Sequence, residues 1–162
     1  MQIAQQSNKT IRLAGIVEES IVDGEGIRFT IFVQGCPHKC KGCHNPHTHD
    51  ISGGKDFNIE EILSRITKNP LLAGVTFSGG EPFCQVLPLI EIAAKVKTLG
   101  LNIWCYTGYT HEELLEKSNN DKDIAFLLEL IDVLVDGPFV EREKDLTLKF
   151  RGSKNQRIIK LK

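Results

Sequence analysis

The chain has 162 residues, a length that suits one domain. Hydrophobic residues make up 41% and charged residues 25%, a globular composition that argues against wholesale disorder. Twenty basic and 21 acidic side chains give a formal net charge of −1, so no charge excess points to nucleic acid or an anionic membrane as the main partner. No apolar run approaches the ~18 residues that span a bilayer, and the first residues, MQIAQQSNKT, lack the apolar stretch of a signal peptide. We therefore expect a cytoplasmic protein in which residues 1–162 form a single domain.

The first predicted elements are two strands followed by a long loop. Residues 11–18 and 28–34 are predicted strands, the second because it is rich in β-branched and aromatic side chains. Residues 35–55 contain three cysteines, four histidines and two prolines. A loop of this length inside a compact domain is usually functional.

Strands and helices alternate in the rest of the chain. Asn58 is expected to cap a helix with an apolar face, and Thr110 to cap a short helix through a capping box with Glu113. The other predicted strands are residues 72–77, 101–107 and 131–135, and the other predicted helices are residues 86–99 and 123–130. This alternation predicts an α/β fold with a mainly parallel sheet and outer helices. Because a closed eight-fold barrel needs ~250 residues, only a partial (β/α) barrel or an open sheet is expected.

Three conspicuous segments follow the predicted parallel strands. They are the cysteine-containing loop, residues 78–82 (SGGEP) and residues 107–109 (TGY). Sites in parallel α/β sheets lie at the carboxyl ends of the strands, so these segments are expected to meet there.

The cysteine spacing indicates a metal site. Cys36, Cys40 and Cys43 supply three thiolates, which suit either zinc or an iron–sulfur cluster. A zinc site would take His44, His47 or His49 as its fourth ligand. A four-iron cluster with three cysteine ligands would leave one iron open to a substrate. The simplest interpretation of His47 and His49 is that they are solvated loop residues, and that of Cys84 and Cys105 is that they pack in the core.

The cysteine pattern and the SGGEP segment together resemble the signature motifs of radical S-adenosylmethionine enzymes. Further segments, in chain order, resemble the activating proteins of anaerobic (class III) ribonucleoside-triphosphate reductases: DGEGIR (23–28), CPHKC (36–40), CHNP (43–46), WCYTGY (104–109), DVLVDGPF (132–139) and RGSKNQR (151–157). The resemblance implies a partial barrel of the radical S-adenosylmethionine type. It also implies that Cys36, Cys40 and Cys43 bind a [4Fe–4S] cluster whose open iron chelates S-adenosylmethionine.

The same resemblance implies a reaction. One electron from the cluster cleaves S-adenosylmethionine, and the 5′-deoxyadenosyl radical removes a hydrogen atom from a glycine of the reductase, leaving a glycyl radical. It assigns no catalytic side chain beyond the cluster.

Several residues are implied to contact S-adenosylmethionine. Ser78, Gly79, Gly80 and Glu81 correspond to the methionine-binding motif, in which paired glycines permit a close approach of the backbone. A plain strand-to-helix turn is the alternative for this segment, and Glu81 either bears on the ligand's ammonium group or caps the helix of residues 86–99. The segment Gly42-Cys43-His44 is assigned to the adenine side of the ligand. Thr107 and Asp136, at later strand ends, are assigned to the ribose side.

The expected partners are the reductase and a flavodoxin-like electron donor, because only two cysteines remain outside the first cluster, too few for a second one. We expect no nucleic acid or membrane partner. The reductase is expected to contact the open side of the barrel and a basic tail consisting of Lys149, Arg151, Lys154, Arg157, Lys160 and Lys162. An edge strand protected by lysines is the plainer interpretation of that tail. Three other functions stay open: a radical enzyme that acts on a metabolite, a zinc-stabilised binding module, and a simple electron carrier.

Overall fold

The computed structural model describes residues 10–162, which form seven strands and four α-helices. The strands are β1 (Thr10–Ser20), β2 (Arg28–Val33), β3 (Lys55–Asn58), β4 (Gly74–Gly79), β5 (Asn102–Tyr106), β6 (Val133–Asp136) and β7 (Arg157–Lys160). The helices are α1 (Ile59–Thr67), α2 (Val86–Thr98), α3 (His111–Ser118) and α4 (Lys122–Leu130). The expectation that the first residues do not form a signal peptide depends mainly on residues 1–9, which lie outside the described residues.

All of the described strands belong to one sheet with the order β3-β1-β2-β4-β5-β6-β7. The central strands β2, β4, β5 and β6 are parallel, whereas β1, β3 and β7 pair antiparallel at the two sides. The order runs from β3 to β7 without closing, so the fold is the predicted partial (β/α) barrel. Its central parallel strands all direct their carboxyl ends to the same edge.

The two faces of the sheet differ in what they contact. Phe29, Ile31, Ile103 and Leu134 share the main core with buried residues of the helices. Because successive strand residues point to opposite faces, the intervening residues lie on the inner face of the barrel. There Trp104, Val133 and Val135 form a smaller cluster, against which Tyr106 and Phe150 pack. The helices therefore cover one face and leave the other for the site and the tail.

The local signals for the helix starts are confirmed. The Asn58 side chain accepts a hydrogen bond from the Glu61 N–H at the start of α1, and Thr110 forms its capping box with Glu113 at the start of α3. The sequence analysis missed β3, which pairs with the first half of β1 just before α1. It also ended β1 two residues too early, at residue 18 rather than Ser20.

Membrane-crossing elements were sought among residues 10–162. None of the helices there is both long enough and apolar enough to pass through a bilayer.

Candidate functional site

The cysteine loop leaves the carboxyl end of β2 and is held by hydrogen bonds to its own second half. The Gly35 N–H donates to the Thr48 carbonyl (2.6 Å), and the Cys36 N–H donates to the His49 carbonyl (3.1 Å). The buried Gln34 side chain donates to the His47 and Asp50 carbonyls at 2.8 and 2.6 Å. Sequence reasoning did not single out Gln34, although a polar residue at the end of a buried strand is a signal for such an anchor.

The loop brings its three cysteines to one cavity of about 120 Å³, here called the cysteine cavity. It is lined by Cys36, His38, Cys40, Cys43, His49, Gly79, Gly80, Tyr106, Thr107, Gly108, Gly137, Phe139 and Gln156. The ends of β2, β4 and β5 therefore meet at this point, as the parallel topology predicts. Five predicted site residues are absent from the lining: Gly42, His44, Ser78, Glu81 and Asp136.

The donor set of this cavity fits an iron–sulfur cluster. Cys36, Cys40 and Cys43 are free thiols of intermediate exposure, and thiolates are the ligands that such clusters use. Partial burial raises the pKa of the Cys36 thiol above its ordinary value. Among residues 10–162, no group of three or more His, Cys, Asp or Glu side chains converges closely enough to hold a single metal ion. In a four-iron cluster each cysteine binds a different iron, so the three thiolates need not converge on a single position.

The two glycines after β4 are required by the neighbouring backbone. A Cβ at Gly79, where φ is +93°, would lie 2.6 Å from the Val33 nitrogen, and one at Gly80 would lie 2.3 Å from the Gly35 carbonyl oxygen. Their lack of a side chain thus lets the end of β4 approach the start of the cysteine loop. The sequence predicts that these glycines let the backbone approach a ligand closely. In the structure they let the end of β4 and the start of the cysteine loop pack closely against each other.

Glu81 joins three segments of the site. Its side chain is fully buried, and its Oε1 accepts hydrogen bonds from Thr107 Oγ1 (2.7 Å) and from the Gly108 N–H (2.8 Å). The same oxygen lies 2.7 Å from His38 Nε2, and Oε2 accepts from the Phe83 N–H at 3.0 Å. Glu81 caps the short 3₁₀ helix Pro82–Cys84, whereas α2 begins after Gln85 without a side-chain cap. The alternative that Glu81 caps α2 is wrong, and its contact with a bound ligand stays a prediction.

The buried Asp136, the last residue of β6, forms an ion pair with the exposed Arg157, the first residue of β7. The Asp136 carboxylate, 1% exposed, accepts from Arg157 Nε (3.1 Å), from Arg157 Nη2 and from the His111 N–H (2.8 Å). Arg157 also contacts Glu112, and this contact lowers the pKa of the Glu112 carboxyl to about 2. The geometry gives Asp136 an anchoring role, and its contact with a ribose stays a prediction. Arg157 is therefore paired with two carboxylates of its own chain, although about half of its side chain is exposed.

A second, larger cavity of about 670 Å³ adjoins the cysteines and is here called the outer groove. Its lining consists of Ile21, Val22, Asp23, Cys43, His44, Asn45, Tyr106, Phe139, Leu148, Lys149, Phe150, Arg151, Gly152 and Gln156. The exposed His44 ring packs edge-to-face on Phe139, with 5.0 Å between ring centroids. Burial raises the pKa of the Tyr106 hydroxyl. The segment assigned to the adenine side thus faces this groove at Cys43 and His44.

The first residue of β2 is a buried arginine. Arg28 donates to Thr76 Oγ1 (2.6 Å), to the Val75 carbonyl (3.0 Å) and to Asn102 Oδ1 (2.7 Å). Its guanidinium lies 5.5 Å from the Trp104 ring centroid, and desolvation lowers its pKa to about 10. Trp104 is buried, and Phe150 of the tail packs on it. Sequence reasoning named Arg28 only as part of the DGEGIR segment and gave it no role, and it missed Phe150.

The two cysteines outside the loop differ in exposure. Cys105 is fully buried, as predicted for a packing residue, whereas Cys84 is exposed. The packing interpretation of Cys84 is therefore wrong, because the short 3₁₀ helix turns its side chain away from the main core.

Comparisons with known proteins show which protein family this chain resembles. Residues 22–159 match a family described as "4Fe-4S single cluster domain". The chain is 38% identical over 144 residues to the anaerobic ribonucleoside-triphosphate reductase-activating protein of Vibrio cholerae, covering 84% of this chain and 89% of that protein. For the proteins of the same name from Haemophilus influenzae and Escherichia coli, the identities are 37% and 35%. These matches cover 88% and 84% of this chain, and 93% and 90% of the relatives.

Among solved structures, QueE from Escherichia coli is similar with a TM-score of 0.49 and 21% identity. That match covers 65% of this chain and 55% of that one.

Proposed function

This chain belongs to the family of anaerobic ribonucleoside-triphosphate reductase-activating proteins, and on that basis we propose that it activates such a reductase. Its cofactors are a [4Fe–4S] cluster and S-adenosylmethionine. When bound, the cluster supplies the electron that cleaves S-adenosylmethionine, and the 5′-deoxyadenosyl radical so formed takes a hydrogen atom from a glycine of the reductase. The chain is an oxidoreductase, a radical-generating activase.

The observation that carries the proposal is the cysteine cavity. It brings Cys36, Cys40 and Cys43 beside Gly79 and Gly80, which lie 36 or more residues further along the chain. In our proposal the cysteines bind the cluster, and Ser78 with the two glycines holds the methionine end of the ligand. Gly42 and His44 hold the adenine end, where the outer groove begins. We propose that Glu81, Thr107 and Asp136 also lie within reach of the ligand, Glu81 and Asp136 chiefly by positioning the backbone around it.

Anaerobic reconstitution tests this proposal. With dithionite and S-adenosylmethionine we expect 5′-deoxyadenosine, about four irons per chain, and a glycyl radical signal when a reductase of this class is added. Cys40→Ala should abolish all three. Cys84→Ala is the matched control, because Cys84 is exposed and lines a different cavity, so it should leave them unchanged.

Each alternative function predicts a different result in this assay. 5′-deoxyadenosine without a glycyl radical would favour a radical enzyme that acts on a metabolite. Iron without product would favour an electron carrier, and bound zinc in place of iron would favour a binding module. Any of these results would contradict the proposed activation.

We propose that the reductase docks over the outer groove. The rim of the groove carries the exposed apolar residues Ile21 and Val22, which are 73% and 70% exposed, together with the exposed Lys149 of the tail. Exposed apolar side chains beside a basic one are typical of a surface that binds another protein. Charge reversal at Arg157 would disturb the internal ion pair with Asp136, so it is unsuitable as a test of docking.

Lys149→Glu is the sharper test of docking. It should weaken the complex with the reductase, measured by binding, without slowing cleavage of S-adenosylmethionine in the absence of the reductase. Lys154→Glu is the matched control, because Lys154 belongs to the same tail and is exposed but does not line the groove. Equal effects of the two substitutions would contradict docking at the groove.

The remaining proposals concern the electron donor, the domain organisation, the location of the protein and its other partners. Because two cysteines remain outside the cluster, we propose that the electron comes from an external flavodoxin-like donor. We also propose that residues 1–162 act as one domain in the cytoplasm, and that neither nucleic acid nor a membrane takes part.

A further inference from the structure

His49 lines the cysteine cavity and carries a buried ring nitrogen without a hydrogen-bond partner. Among residues 10–162, three buried side-chain nitrogen or oxygen atoms lack a hydrogen-bond partner: Thr30 Oγ1, His49 Nε2 and Asn155 Oδ1. Of these three residues, His49 is the one that lines the cavity with Cys36, Cys40 and Cys43. A buried polar atom without a partner is costly, so its presence at a site indicates a bound group that satisfies it.

The backbone holds His49 in this place. Its carbonyl accepts the hydrogen bond of the Cys36 N–H, and its own N–H donates to the Pro46 carbonyl at 3.3 Å. The preceding residue, Thr48, is buried and its hydroxyl donates to the Asn45 carbonyl at 2.6 Å. His49 is partly exposed but its Nε2 is buried, so its ring is not simply solvated as expected, whereas His47 is exposed as expected.

The other histidines near the cysteines are committed elsewhere. His38 Nε2 lies 2.7 Å from Glu81 Oε1, and the His44 ring packs on Phe139 on the side of the outer groove. Among residues 10–162, His49 Nε2 is thus the buried histidine nitrogen at the cysteine cavity that has no hydrogen-bond partner.

We propose that His49 donates its Nε2–H to a sulfur of the [4Fe–4S] cluster bound by the three cysteines, and thereby raises the reduction potential of that cluster. The inference rests on the proposed function, since it takes the cluster as the group in the cavity. Hydrogen bonds to cluster sulfurs withdraw charge from the cluster and stabilise its more negative, reduced form. The role requires the tautomer, or the protonated ring, that carries hydrogen on Nε2.

The test is a redox titration of the reconstituted protein, followed by the electron paramagnetic resonance signal of the reduced cluster, without S-adenosylmethionine. His49→Phe keeps a ring but removes the donor, so at a fixed ambient potential the ratio of reduced to oxidised cluster should fall by up to about tenfold. That change corresponds to 59 mV for a one-electron couple. His49→Gln retains an N–H donor and should stay closer to the parent protein. His47→Phe, on the exposed side of the same loop, is the matched control and should not change the potential.

Three results would overturn the inference. The first is an unchanged reduction potential of the cluster in His49→Phe. The second is a change of potential that occurs only when S-adenosylmethionine is present, because the donor would then serve that ligand. The third is failure of both His49→Phe and His49→Leu to assemble a cluster, which would make the residue structural. If the parent protein itself assembles no four-iron cluster, the proposed function fails as well, so the two failures are distinguishable.

Discussion

Substitution of Glu81 by glutamine tests whether its carboxylate organises the fold or serves only a ligand. Both carboxylate oxygens accept hydrogen bonds from backbone N–H groups, one from the partly buried Gly108 and the other from the buried Phe83. A glutamine side chain has one oxygen and one NH₂ group, so either orientation sets a donor against one of these N–H groups. Leaving one buried donor unpaired costs about 1–3 kcal/mol.

We therefore expect Glu81→Gln to lower the free energy of unfolding of the protein without cofactors by about 1–3 kcal/mol. With a urea dependence of about 2 kcal/mol per molar, the unfolding midpoint should fall by roughly 0.5–1.5 M. The assay is urea unfolding under reducing conditions, followed by circular dichroism. Glu129→Gln makes the same change of charge on the exposed side of α4 and should change stability by less than about 0.5 kcal/mol.

An unchanged midpoint for Glu81→Gln, combined with a loss of S-adenosylmethionine binding, would refute this reasoning. It would show that the carboxylate acts on the ligand and that its hydrogen bonds to the neighbouring segments contribute nothing to folding.

Two further substitutions test other buried and exposed charges. Arg28→Met should cost about 2–4 kcal/mol in urea unfolding, because it leaves several buried acceptors without their charged donor. Arg65→Met, which breaks an exposed ion pair, should cost less than about 1 kcal/mol, and equal losses would contradict the first estimate. Glu112→Gln removes a carboxylate whose pKa in the fold is about 2 against an ordinary value of 4.5, because Arg157 donates to it. Its destabilising effect should be complete above about pH 4.5 and shrink toward pH 2, so a difference in urea midpoint that grows as the pH falls would contradict the pairing.

Local sequence patterns determine the secondary structure of this protein closely. The caps at Asn58 and Thr110 depend on a residue three positions further on, and both are present in the structure. The central strands and helices likewise lie within two residues of their predicted positions, because hydrophobic periodicity is a property of a short segment. β3 was missed because its residues, Lys55–Asn58, are mostly exposed and gain their strand character only by pairing with β1.

The location of the site was also predictable. Three cysteines within eight residues specify a thiolate site, and the alternation of strands with helices implies that the segments after parallel strands meet at one edge. The cavity that joins the cysteines to Gly79, Gly80 and Gly108 agrees with this expectation.

The partners of the polar side chains were decided by the tertiary structure. Glu81 bonds to Thr107, 26 residues away, and Asp136 bonds to Arg157, 21 residues away. No periodicity or spacing encodes such pairs, because a carboxylate takes whichever donors the packed strands bring within about 3 Å of it. The same holds for His49, which was expected to be solvated. Whether a loop histidine faces water or a cavity depends on how the second half of the loop packs against the first, and that choice is made only when the chain is folded.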